Sequence, residues 1–437
     1  MNFIDPTYDR VRSVLSFNPQ PQTINNFLGF SNRNSIIPNK INFEHKQLGS
    51  YGPGQSFADQ KLFNALQNVK RQFNVDPNEF EKSKKVINPF EKLGNSIFIA
   101  RPALSLAGID NVLNISPDTF TYENQSNDRQ LKFIDLAAAP GSWSQYIRYR
   151  YPNSNGIAIT ISDNKKQFKL DDVLNIGKGK FELITQDLYL YWKEFLDKIT
   201  KEKFDADLIV GDAGFDMTPD MVEQQEFIIS RLLTIQILIG LYGNIGSNAV
   251  FKVFDTVTKY TGQLIYLLSL CYENVNIFKP ITSRPANAEA FLICKGLTPN
   301  CVVVRKIVRD CVEKFTENKY LTSIFDDITP EYERFTKWLI ERNSQLINIQ
   351  IMAATKIITY MQTQEIETDD IDVLKVYILW NLPGNKPKLQ NQYKTSRNIS
   401  QGRSPRNASQ DRTSRTTSIS PRNASQDRTS RTTSISP

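Results

Sequence analysis

The chain has 437 residues, 40% hydrophobic and 11% aromatic, enough for one large domain with appendages and a real core. Its formal charge of +7 is uneven: 11 of the 53 Lys/Arg and only 2 of the 46 Asp/Glu lie between Lys386 and Pro437, leaving 42 basic and 44 acidic residues over 1–385. A single histidine, His45, and four cysteines without a Cys-x-x-Cys pair argue against a metal site and against Ser-His-Asp or Cys-His catalysis.

Residues 1–85, rich in Asn, Gln and Pro with short apolar islands, read as an N-terminal extension packed on the main domain. Between about 131 and 297, apolar runs alternate with helical patterns. Leu131–Leu136 reads as a strand, followed by an Ala-Pro-Gly turn and a helix over Ser142–Tyr151. Further strands are expected at Gly156–Ile161, Phe181–Thr185 and Ala206–Val210. Pro219 and Gly243 bracket a long helix, since proline suits a helix start and glycine its end. Ala249–Phe254, Val275–Phe278 and Ala290–Cys294 complete the strands. This order predicts an α/β fold with a mostly parallel sheet covered on both faces. In 298–384 the apolar positions Trp338, Leu339, Ile347, Ile351, Ile357 and Ile358 predict a small helical appendage.

From 385 to 437 the chain is basic and polar, and it repeats Ser404–Ile419 unchanged as Ser420–Ile435. Such sequence buries too little apolar area to offset its ordering entropy, so a disordered tail is expected. It reads either as a phosphorylatable RNA- or partner-binding arm or as a duplication that only solvates. The first residues lack a basic-then-apolar signal pattern, and no 18 apolar residues run together, so a soluble, intracellular protein without membrane contact is expected.

Open parallel sheets bind ligands at the carboxyl ends of their strands. The loop Ala137-Ala-Ala-Pro140-Gly141-Ser142 sits at that end of the first strong strand, where small side chains let an adenosyl ligand approach the backbone. Its single glycine separates it from the G-x-G-x-x-G of dinucleotide binders, which disfavours a nicotinamide oxidoreductase; a plain tight turn is the alternative. Asp187 would accept a hydrogen bond from an adenine amine or cap the next helix. Asp212 closes Leu208-Ile-Val-Gly, and Lys252 interrupts Ala249–Phe254. A charge inside a buried strand is costly without a partner, and Asp212 and Glu289 are the candidates. The set is either a structural ion pair or a catalytic group in which Lys252 accepts or steers the proton of a ribose hydroxyl. Lys279, Arg284 and Glu289 share a hydroxyl-rich, proline-broken loop before the last strand. Lys279 and Arg284 are candidate RNA phosphate contacts, or ordinary solvated charges.

Asp135-Leu-Ala-Ala-Ala-Pro-Gly-Ser-Trp143-Ser-Gln, Gly211-Asp-Ala-Gly-Phe215, Phe251-Lys-Val-Phe-Asp255 and Phe278-Lys-Pro-Ile-Thr-Ser-Arg-Pro-Ala-Asn-Ala-Glu289 resemble the FtsJ-like 2′-O-methyltransferases. Asn88-Pro-Phe-Glu-Lys-Leu-Gly and the segment Phe98–Asp110 are similar to a region upstream of the cofactor loop in the eukaryotic and large-DNA-virus enzymes that act on capped mRNA. The resemblance covers about 88–297 and implies a Rossmann-like, seven-stranded sheet. It also implies S-adenosyl-L-methionine as cofactor, with Asp135, Ala137, Pro140, Gly141, Ser142, Trp143, Asp187 and Asp212 as its binding residues. The domain division becomes 1–85, 86–297 for the methyltransferase domain, 298–384 and 385–437.

A Lys-Asp-Lys-Glu catalytic tetrad is implied as well, and its last three members fall on Asp212, Lys252 and Glu289. The first lysine belongs to an Arg-Ala-Ala-x-Lys-Leu pattern that here reads Arg101-Pro-Ala-Leu-Ser105-Leu. Ser105 cannot replace a cation, and the offset of Lys92 fits poorly. Two readings follow: a methyltransferase forming cap 1 on mRNA with Lys252 carrying most of the catalysis, or a catalytically degenerate subunit that binds capped RNA. Capped mRNA is the implied partner, with other capping or transcription machinery reached through the basic tail. The implied location is the nucleus, or the cytoplasm for a viral enzyme.

Overall fold

The computed structural model describes residues 30, 38, 41–47, 57–73, 77–117, 130–161, 167–214, 225–315, 319–326, 329–365 and 373–382. In chain order the elements are β1 (Ile41–Gln47), α1 (Gln60–Lys70), α2 (Pro77–Ile87), α3 (Pro102–Leu113), β2 (Lys132–Leu136), α4 (Ser142–Arg150), β3 (Asn155–Thr160), α5 (Leu170–Leu174), β4 (Phe181–Thr185) and α6 (Leu188–Lys201). They continue with β5 (Leu208–Gly211), α7 (Gln225–Gly240), β6 (Asn248–Phe254), α8 (Lys259–Cys271), β7 (Tyr272–Phe278), β8 (Glu289–Leu297), α9 (Cys301–Lys314), β9 (Lys319–Phe325), α10 (Pro330–Thr363) and α11 (Val373–Leu379).

The apolar runs read as strands assemble into one seven-stranded sheet in the order β4-β3-β2-β5-β6-β8-β7. All neighbours are parallel except those of β8, which runs antiparallel to β6 and β7. Such strands carry few polar side chains because both faces are covered. On one face Phe251 and Ala249 pack with Ile235 of α7 and Leu264 of α8. On the other, Phe133 and Phe291 pack with Leu104 of α3 and Trp143 of α4. The strand order reverses between β2 and β5, so the crevice beyond their carboxyl ends is where this architecture takes a ligand.

The ends of the described chain depart from expectation. β1 and β9 pair antiparallel in a separate two-stranded sheet, so 298–384 is not purely helical. Phe63 and Leu66 of α1 bury against Ile347 of α10. The described residues of 1–85 and of 298–384 thus pack in the same unit as the seven-stranded sheet. α10 runs for 34 residues from its Thr329 cap and braces the back of the sheet. Its Arg342 donates to the Ile277 carbonyl at 2.6 Å, and its Asn343 donates to the carbonyls of Phe57 and Thr256. The helix expected from Pro219 to Gly243 is described from Gln225 to Gly240, and Pro219 lies outside the described residues, as does the repeat tail. Among the described residues no helix is long and apolar enough to cross a membrane, and no group of three or more His, Cys, Asp or Glu side chains could hold a metal ion.

Candidate active site

In the β6–β8 ladder Lys252 lies opposite Phe291, and Phe254 opposite Glu289. Side chains alternate faces along a strand, so Lys252 and Glu289 share one face. Gly211 pairs with Phe251, and the next residue on each parallel strand completes the juxtaposition. Lys252 Nζ sits 2.9 Å from Asp212 Oδ1, and the two side chains keep only 12% and 21% of their exposure. The ammonium is thus in the floor of the crevice and not in bulk solvent. Burial pushes the Asp212 carboxyl up, with the Lys252 charge opposing it in part. For Lys252, burial acts downward but is outweighed by Asp212 and Glu289, which hold the ammonium above the usual lysine range. Gly214 leaves room beside it, since a Cβ there would lie 3.3 Å from Lys252 Nζ.

Glu289 is held by its own loop. Ser283 Oγ donates to Glu289 Oε1 at 2.5 Å. Lys279 is buried, and its Nζ donates to the backbone carbonyls of Asn287 at 2.7 Å and Glu289 at 2.6 Å. Burial pulls its pKa down to about 8 despite the nearby Glu289 charge. Two backbone carbonyls, invisible in a side-chain pattern, thus hold the ammonium that is expected at an RNA phosphate. Arg284 stays half-buried at the loop's outer side, its Nε donating to Glu91 Oε1 at 3.0 Å. Ser105, buried on α3, accepts a 3.2 Å bond from the Thr282 hydroxyl.

At the other side of the crevice, Ala137 and Gly141 adopt left-handed backbone, with φ of 56° and 105°. Gly141 has no room for more, because a Cβ would stand 3.0 Å from Phe168 and Val173. The loop is tied to β3 by Ala138 N–H to the Ile159 carbonyl and Ala139 N–H to Thr160 Oγ1, both 3.1 Å. Ala137 and Pro140 are half-buried. Three other expected contacts support this loop from beneath. Asp135 is fully buried, its Oδ2 accepting from the Ser144 N–H at 2.9 Å and hydroxyl at 2.6 Å. Trp143 donates from Nε1 to the Pro102 carbonyl at 2.9 Å and packs on Phe291. Ser142, the first residue of α4, is buried as well. Asp187 caps α6, accepting from the Tyr189 N–H at 2.8 Å, and remains half-exposed at the end of β4.

Burial pushes the Asp135 carboxyl up to about 8 against the two Ser144 bonds, while Oδ1 finds no partner among the described residues. The folded state therefore holds a proton that the unfolded chain loses near its ordinary 3.8, and stability falls as pH rises between 3.8 and about 8. Asp135→Asn keeps an oxygen for Ser144 and removes that loss. We expect the variant to gain about 1–3 kcal/mol at pH 8 and little at pH 4, read by urea unfolding at both values. Equal effects at the two pH values would refute the burial argument.

The crevice fits a nucleoside-bearing cofactor. Small side chains from Ala137 to Ala139 with Gly141 open the backbone at the α4 N-terminus, Gly214 clears the space by Lys252, and the carboxylates of Asp187 and Asp212 stand at strand ends. Residues 98–297 match the FtsJ-like methyltransferase family model. Over that stretch the chain is similar to the FtsJ-like methyltransferases. Over 355 residues the chain is 28% identical to the Cap-specific mRNA (nucleoside-2'-O-)-methyltransferase 1 of Danio rerio, covering 75% of this chain and 43% of the relative. The Homo sapiens protein of the same name is 28% identical over 360 residues, covering 75% and 42%. A Caenorhabditis briggsae relative, named Inactive cap-specific mRNA (nucleoside-2'-O-)-methyltransferase 1B, is 27% identical over 351 residues, covering 70% and 41%. The chain thus spans less than half the length of these relatives.

Sequence reasoning overlooked Glu91, Arg101 and Ser283 as site residues. Each lies inside a stretch already singled out by resemblance, but an ion pair between residues 193 positions apart, such as Arg284–Glu91, leaves no local pattern.

Proposed function

We propose that the chain transfers a methyl group from S-adenosyl-L-methionine to the ribose 2′-OH of the first transcribed nucleotide of capped mRNA. The observation that carries this reading is the 2.9 Å Lys252–Asp212 pair in the crevice floor, with Glu289 on the same face. When bound, the cofactor supplies a sulfonium methyl: the S–CH3 bond breaks, the ribose O–CH3 bond forms, sulfur keeps the electron pair and the hydroxyl proton is released. Ala137, Pro140, Gly141, Asp187 and Asp212 would hold it, on the foundation of Asp135, Ser142 and Trp143. The ammonium of Lys252 orients the ribose oxygen by donating a hydrogen bond, and Asp212, its carboxyl raised by burial, takes the released proton. Glu289 keeps Lys252 charged, and Arg284 offers its guanidinium to an RNA phosphate.

The names of the relatives support the cap as the distinguishing feature of the substrate, and a nuclear site with capping or transcription machinery as partners fits the same reading. Labelled methyl transfer to matched transcripts with and without a cap tests it. We expect label on the first ribose of the capped RNA alone; equal labelling of both would defeat the cap assignment.

One observation favours a second reading. Ser105 stands where the family resemblance asks for a cation, and a relative bears the name inactive. In that reading the fold binds capped RNA without methylating it. Tight binding of a capped transcript with no labelled product under single turnover would decide for it.

A further inference from the structure

We propose that Glu91 is a positioning residue for this site, acting through two arginines that clamp the loop carrying Ser283 and Glu289. The inference rests on the methyl-transfer reading above. α3 contains no Lys or Arg from Pro102 to Leu113. The cation nearest Ser105 along the helix is Arg101, four residues earlier, which puts it one turn away on the same side. Thr282 meets both: its carbonyl accepts from Arg101 Nη2 at 2.6 Å, and its hydroxyl donates to Ser105 at 3.2 Å. The next residue, Ser283, donates to Glu289. The one after, Arg284, donates to Glu91 at 3.0 Å, and Glu91 also pairs with Arg101. Three consecutive loop residues are therefore fixed, one of them to the carboxylate that shares a face with Lys252.

Both guanidiniums converge on a single oxygen, Glu91 Oε1. Removing it loosens both and leaves two like charges side by side. The carboxylate is itself well anchored. Asn88 caps the short turn Pro89–Leu93 through the Phe90 N–H at 3.2 Å, and Phe90 and Leu93 are fully buried on either side of Glu91. Glu91, Arg101 and Arg284 keep 20%, 22% and 29% of their side-chain exposure. Partly solvated pairs of this kind add little to global stability, so their effect falls on geometry.

The test uses the full chain carrying Glu91→Ala, Glu91→Gln or Arg284→Lys, with three measurements: hydrogen exchange over 279–289, calorimetric binding of S-adenosyl-L-methionine, and methyl transfer to capped RNA. For Glu91→Ala we expect faster exchange of that loop, unchanged affinity and KM for the cofactor, and a kcat lowered about 10- to 100-fold through misplaced reacting groups. Glu91→Gln falls between, because its amide oxygen still accepts without the charge, and Arg284→Lys keeps charge but loses the fork and also falls short of wild type. Unchanged exchange with full kcat in Glu91→Ala overturns the proposal, and so does a loss of cofactor affinity together with melting temperature, which marks a merely structural role. Absence of methyl transfer by the wild-type protein would refute the function reading alone, because the exchange experiment reports the clamp without it.

Discussion

Replacing Lys252 by Met lowers methyl transfer by about 10²- to 10⁴-fold, the range that positioned proton-handling groups contribute. Methionine matches the length of the lysine stem, so the β6 strand keeps its packing while the ammonium 2.9 Å from Asp212 disappears. Cofactor binding should persist, because the small-residue loop and its supports lie on β2 and α4, two strands away. The pH profile carries the mechanistic information. Burial pushes the Asp212 carboxyl up and the Lys252 charge opposes this, so loss of Lys252 drives it further up. Activity needs the ionised carboxylate as proton acceptor, so it rises with pH on the acid side, and in Lys252→Met any residual activity appears only at higher pH than in wild type. Steady-state rates across pH with a capped transcript check both points. A kcat within threefold of wild type, or an acid limb that does not move, would remove Lys252 from the chemistry.

Arg148 should give the largest stability effect. The residue is 1% exposed, yet among the described residues no carboxylate pairs with it. Instead the guanidinium donates to the carbonyls of Val173 at 3.1 Å, Gly177 at 2.7 Å and Gly179 at 3.1 Å, and it lies over the Phe181 ring at 5.4 Å. A Cβ on Gly177 would come within 2.8 Å of it, so the 173–179 connection is shaped around the guanidinium. Because α4 begins at the Ala137–Gly141 loop and holds Arg148 in its last turn, this bond set also fixes the loop's foundation. Arg148→Ala strands the buried Val173 carbonyl and the half-buried carbonyls of Gly177 and Gly179 at once, and we expect a loss of about 3–5 kcal/mol in urea unfolding. A loss below about 1 kcal/mol would mean the connection re-solvates freely and that the guanidinium is not its organiser.

The central sheet was legible because its strands are short apolar runs that end in acids or small residues. Phe181–Thr185 coincides with β4, and Lys252 stood out as a charge in an otherwise apolar strand. The sheet of β1 and β9 was not legible, since it joins segments roughly 280 residues apart and β9 sits between two amphipathic helices. Side-chain type also says little where the backbone supplies the partner. Lys279 reads as a phosphate contact by charge and loop chemistry, and the carbonyls of Asn287 and Glu289 that hold it left no trace in the sequence. Trp143 and Asp135 carry the strongest motif letters and still serve from below, because the loop needs a packed floor before it can present its small residues. Arg101 and Glu91 escaped notice because only the fold brings α3 and the turn before it to the last loop.

Single-turnover transfer of a labelled methyl group to the first ribose of a capped transcript, by wild-type protein and by Lys252→Met at equal saturation with cofactor, bears most directly on the role given to the ammonium in the crevice floor. The account predicts labelled 2′-O-methyl product with the wild type and a rate at least a hundredfold lower with the variant, in line with the effect of a positioned proton-handling group of about that size. Product formed at the same rate by both would contradict it.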